Sequence, residues 1–131
     1  MNRLSGVVEK IERAKGLSLV YVRVEEELFS SLVVDEEECG YKLQQEVDIV
    51  FKETEVMLAS VASHVSARNA FVATIKQIEQ GEILALLRLS FYNDEIVAVI
   101  TKNALKDLEC KEGKEILWFI KSNEVSLVGG V

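Results

Sequence analysis

The four residues Ser66-Ala67-Arg68-Asn69 are the ones whose types and order point to chemistry. A hydroxyl, a guanidinium and a side-chain amide stand together where a strand-like run begins, and all three donate hydrogen bonds. Arginine presents a fixed fork of N–H donors on a permanent cation. Such a grouping suits an anion. No nucleophile–base pair and no phosphate loop stands elsewhere in the sequence, so no enzyme is expected. Cys39 and Cys110 lack metal spacing and read as free thiols of a reducing compartment. His64 is the only histidine and has no Cys or His near it, so no metal held directly by side chains is expected. Glu25-Glu26-Glu27 and Asp35 to Glu38 read as solvated charge runs that fix no coordination geometry.

A grip of this kind needs a frame. The chain has 131 residues, 49% of them hydrophobic, which suits one ordinary domain or two very small ones with a packed core. No apolar run approaches the ~20 residues needed to span a bilayer, so no membrane insertion is expected. Met1 to Gly6 lacks the apolar centre of a signal peptide, and a cytoplasmic location is the expectation. The formal charge of −7 is uneven: 7 basic and 13 acidic residues precede Val65, against 8 and 9 from Val65 onward. An acidic chain is a poor partner for nucleic acid, whose binding depends on neutralising phosphates. A few aimed donors still hold a small anion.

The sequence repeats itself. Asn2 to Glu12 (NRLSGVVEKIE) lies over Asn69 to Glu79 (NAFVATIKQIE), with Asn2 on Asn69, Ile11 on Ile78 and Glu12 on Glu79. Lys52 to Leu58 lies over Lys121 to Leu127, with Lys, Glu, Val and Leu coinciding. Two tandem units of about 65 residues follow, 1–62 and 65–131, joined by a helix-like polar junction at Ser60 to Val65. Each unit reads as five short strands. The expected strands are Leu4–Glu12, Leu17–Val24, Leu28–Val34, Glu46–Lys52 and Glu55–Leu58 in the first unit. In the second they are Ala70–Glu79, Ile83–Phe91, Ile96–Thr101, Glu115–Lys121 and Glu124–Val128. Short helical inserts are expected at Asp35–Cys39 and Lys102–Leu108. The fold class is thus all-β with short helical inserts, as two tandem OB-like five-stranded β-barrels. Leu19 to Val22, Ile83 to Leu87 and Ile116 to Ile120 place apolar groups on both strand faces. The units must therefore pack on each other or on further chains, as a homo-oligomer. Trp118 and Phe119 read as core, not as base-stacking aromatics.

Ser66-Ala67-Arg68-Asn69, the strand ending Ile78-Glu79, Val99 to Lys102, Leu108 with Lys111 to Glu115, and Ile120-Lys121-Ser122 together resemble the molybdate-binding TOBE domain of the molybdenum-pterin-binding (Mop) proteins. The likeness covers all of the second unit and extends to the first from Asn2 to Leu58. It implies a cytoplasmic molybdate- or tungstate-binding protein for storage or homeostasis, with reversible binding at sites between domains and three chains per assembly. The alternative is a regulatory or interaction module of a transport or sensing system with a vestigial pocket. The resemblance carries the oxyanion site to Ser66, Ala67, Arg68, Thr101, Ala104, Lys121 and Ser122, with Ala104 where the family often has Ser. In the first unit no Ser or Arg precedes Asn2, Val34 stands at the Thr position and Glu53 replaces the Ser, so that unit is not expected to form a complete site. Molybdate and tungstate are dianions without a proton, and an all-donor pocket suits them. Hydrogen phosphate strands its proton there, and sulfate is rejected by size.

Overall fold

The computed structural model describes residues 1–34 and 40–129. The expected helical insert at Asp35–Cys39, with its charge run and Cys39, lies outside the described residues. The first half supplies β1 (Asn2–Ala14), β2 (Leu17–Val24), β3 (Glu27–Val34), β4 (Glu46–Phe51) and β5 (Met57–Ala59). The second supplies β6 (Asn69–Gln80), β7 (Leu84–Phe91), β8 (Asp94–Thr101), α1 (Lys102–Asp107), β9 (Glu115–Ile120) and β10 (Ser126–Gly129). The described residues are all-β apart from one short helix and two 3₁₀ turns, Glu53–Glu55 and Ser122–Glu124.

Alternation builds the strands. β2 buries Ser18, Val20, Val22 and Val24, and β7 buries Ala85, Leu87, Leu89 and Phe91, one residue in two. Two-residue hairpins, Glu25-Glu26 and Tyr92-Asn93, close β2 on β3 and β7 on β8 in identical register. Glu25 and Tyr92 both adopt φ 54°, the left-handed region that so tight a reversal demands. β1 and β6 each carry a bulge, at Glu9 and Lys76, where the strand bends away from one partner and turns to the other. At Gly6 an added Cβ would meet the Arg23 carbonyl at 2.5 Å, so only glycine fits there.

The two sheets run β10-β4-β1-β2-β3 and β5-β9-β6-β7-β8. The fifth strands do not return to their own unit, as the sequence pattern led one to expect. β10 pairs with β4, and β5 pairs with β9. β10 also lies against β3, so the first sheet curls on itself in the OB-like manner. The junction is likewise not helix-like: residues 60–68 form a turn, with Ser63 N–H on the Ser60 carbonyl, and then run irregularly. β5 and β6 flank β9 on opposite sides, so the junction must span two strand spacings, roughly 10 Å, around the end of β9.

One continuous apolar core joins the halves. Phe29 meets Phe71 at 4.4 Å between ring centres, and Phe51 stacks on Trp118 at 5.7 Å. Trp118 is fully buried, as its reading as a core residue requires. The two-faced apolar strands are thus covered in part by the opposite half of the same chain.

A second tie between the halves is polar. β3 and β8 are sheet edges, with backbone groups that no strand among the described residues pairs. The buried Asn69 side chain accepts from Ser30 N–H at 2.7 Å and donates to the Ser30 carbonyl at 2.9 Å. Asn2 does the same for Val97, at 2.8 and 2.9 Å. Each asparagine acts as a strand neighbour one residue long, and each half clasps the other.

Candidate oxyanion-binding site

The pairing of β6 with β9 makes the site. Asn69 opposes Ile120, so Arg68, just before β6, must lie beside Lys121, just after β9. Two cations are thereby held at one corner of the sheet. Ser66 and Ala67 precede the first, and Ser122 follows the second. Together with Leu32 of β3 and Asn123 they line an open hollow of about 380 Å³. Five of the seven residues expected at an oxyanion site are brought together: Ser66, Ala67, Arg68, Lys121 and Ser122. Among the described residues, no carboxylate lines it.

The donors are differently held. Arg68 is exposed and folds back on its own loop, donating from Nη2 to the Val65 carbonyl at 2.9 Å and from Nε to the Ser66 carbonyl at 3.4 Å. Ala67 is buried and fixes the loop against the sheet. Ser122 opens the 3₁₀ turn and is half-buried, its Oγ 2.5 Å from Ser30 Oγ. Ser31 Oγ donates to the Val125 carbonyl at 2.6 Å, tying the same turn to β3.

Thr101 and Ala104 do not join this hollow within the chain. Thr101 ends β8, at the opposite edge of the second sheet, and caps α1: its Oγ1 accepts from Ala104 N–H at 3.1 Å. The backbone N–H that Ala104 could offer an anion is therefore taken by the cap. Ser30 and Leu32 were not anticipated. The signal was present as two serines interrupting the apolar run Leu28 to Val33, a place where a buried hydroxyl needs a reason.

The first half builds the same corner. Asn2 opposes Phe51, which sets Met1 beside Lys52. There the Met1 ammonium forms an ion pair with the Glu53 carboxylate. The hydrogen bond from that ammonium, and next one from Glu53's own backbone, hold the carboxyl below the ordinary glutamate range. Among the described residues no group of three His, Cys, Asp or Glu could hold a metal ion, and no helix is long and apolar enough to cross a membrane.

Residues 65–127 match the TOBE domain family. Of the solved structures, a crystal structure of the cytoplasmic molybdate-binding protein ModG, in a form with molybdate bound, is similar along the whole chain. The TM-score is 0.91 at 27% identity, over 98% of this chain and 96% of that one. No curated protein matches.

Proposed function

We propose, from the match of residues 65–127 to the TOBE domain family, that the chain binds molybdate reversibly in the cytoplasm, for storage or homeostasis, and catalyses nothing. The observation that carries the reading is the corner where the β6–β9 register sets Arg68 beside Lys121, with the Ser66 and Ser122 hydroxyls on either side. Charge-assisted hydrogen bonds to a dianion are about twice as strong as neutral ones. Tungstate, of the same charge and shape, binds about as well as molybdate in this reading.

The two Mop/TOBE-like units are 1–62 and 65–131, OB-like barrels that exchange their last strands. The hollow is open on one side, and Thr101 lies at a distant edge. In this reading the filled site joins second units of different chains, with Thr101 and the Ala104 region supplied by a neighbour. A trimer meets that need. Exposed Ile83 and Leu84, 75% and 51% accessible, give the neighbouring chain an apolar surface beside Thr101, which pairs with Leu84. The first half favours a second reading for itself alone: its corner is filled by an internal ion pair, as in an interaction module without a working pocket.

Calorimetric titration with molybdate, tungstate, sulfate, phosphate and a DNA oligomer tests the function. Binding of the first two alone is expected. Phosphate competing at equal concentration, or no molybdate binding, refutes it. Light scattering that finds a monomer at micromolar concentration removes the shared site.

A further inference from the structure

We infer that Ser30, a buried residue of β3 in the first half, is a positioning residue of the pocket in the second half, acting through Ser122. The inference rests on the molybdate reading and deepens it. Ser30 is 2% exposed and does not line the hollow. Its Oγ lies 2.5 Å from Ser122 Oγ and 3.4 Å from Asn69 Oδ1. The orientation of Asn69 is fixed, because it accepts from Ser30 N–H and donates to the Ser30 carbonyl. An oxygen, not an amide N–H, therefore faces the Ser30 hydroxyl. Neither Asn69 Oδ1 nor the Ser30 carbonyl can give Ser122 a proton; the Ser30 hydroxyl can.

One short hydroxyl–hydroxyl contact has two states. In one, Ser122 donates to Ser30, whose own proton goes to Asn69 Oδ1 at 3.4 Å, and Ser122 turns its lone pairs to the pocket, which repels a dianion. In the other, Ser30 gives up that long bond and donates to Ser122 at 2.5 Å, and the Ser122 proton is left to point at the anion. A fully deprotonated oxyanion selects the second state. Donation from Ser30 then holds the Ser122 rotamer and polarises its O–H, as chains of hydrogen bonds do.

The chain carries its own control. The residue at the Ser30 position in the second half is Val97, clasped by Asn2 as Ser30 is by Asn69. Opposite Val97 the 3₁₀ turn starts with Glu53, not Ser. The clasp needs only backbone groups and is present twice. The buried hydroxyl occurs only where a hydroxyl waits in the pocket. Clasping alone therefore does not explain it.

The test is a double-mutant cycle on the full chain, titrated with sodium molybdate by calorimetry. Ser30→Ala should weaken binding about tenfold, the effect of one hydrogen bond to a group that carries charge-assisted contacts. In a Ser122→Ala background, the same substitution should change affinity by less than about twofold, because its route to the anion is gone. Ser30→Thr, which keeps the hydroxyl, should stay within about threefold of wild type. Ser30→Val repeats the deletion with the side chain the fold already carries at Val97, should Ser30→Ala fail to fold. Equal losses in both backgrounds, or none in the wild-type background, overturn the inference while molybdate binding stands. A wild-type chain that does not bind molybdate overturns both.

Discussion

At one corner of the molecule Arg68 and Lys121 stand side by side above an open hollow, and the hydroxyl of Ser122 lies against Ser30. At the other corner the same strand register sets Met1 beside Lys52, but Glu53 takes the ammonium and Val97 replaces the buried serine. The strands, the bulges and the asparagine clasps are common to both. Backbone architecture therefore supplies the corner, and in the proposed reading a handful of side chains decides whether an anion can enter it. A carboxylate at the Ser122 position neutralises the cation that an oxyanion would need and repels the oxyanion directly.

The harshest way to break this contrast is to carry one residue across. Ser122→Glu should abolish molybdate binding in calorimetry, while near-native unfolding shows that the fold survives. Arg68→Ala should come next: one charge-assisted contact to a buried dianion is worth ~1.5–3 kcal/mol, or roughly ten- to over a hundredfold in affinity. Normal binding by Arg68→Ala, with altered binding by Glu53→Ala, would place the site in the wrong half.

The clasps sharpen the comparison, because they are equal in structure and unequal in consequence. Asn69→Ala and Asn2→Ala each strand a buried N–H and carbonyl of an edge strand, and each should cost on the order of 2–3 kcal/mol in denaturant unfolding. Trp118, the only tryptophan and fully buried, reports it by fluorescence. Only Asn69→Ala should also weaken molybdate binding, since only its clasp adjoins the pocket. Glu53→Ala should leave affinity within about twofold, for its corner lacks the hydroxyls.

The smallest expected effect is acid lability. Ser5 and then Arg3 lower the Asp48 carboxyl, Tyr21 and then Lys10 lower Glu12, and Arg88 and then Lys76 lower Glu95. A carboxyl depressed in the folded state stabilises it above the ordinary value, 4.5 for glutamate, and loses that contribution as pH falls through the lower folded value. These pairs are solvent-exposed, so the loss should be slight: unfolding midpoints should be flat above pH 5 and decline gently in acid.

Most of the strands were legible in the sequence, and for a plain reason. β2 runs Leu17–Val24, as alternation alone indicates, and the Tyr92-Asn93 reversal sits where the apolar rhythm breaks. The convergence of Arg68 and Lys121 was legible only through resemblance, since it needs a pairing register that local pattern does not reveal. The exchange of β5 and β10 was not legible at all. Alternation tells which side chains face inward, not which unit supplies the neighbouring strand. Asn2 and Asn69 were visible as a repeat, but a side-chain amide standing in for a strand depends on how closely two edges approach. Ser30 interrupts an apolar run, and the partner that accounts for it, Ser122, lies 92 residues away in sequence, beyond the reach of local pattern.

The exchange of last strands has a consequence in time. The edge of β4 is completed by Ser126–Gly129, some 75 residues further along the chain. During synthesis, at about 5–20 residues per second, the first sheet therefore waits several seconds with an apolar core face and an unpaired edge. No order of emergence lets the first half finish alone. The clasp at Asn2 waits for Val97 and the β4 edge for Ser126–Gly129, so the nascent chain depends on speed of synthesis, or on a chaperone, far more than two self-contained halves would.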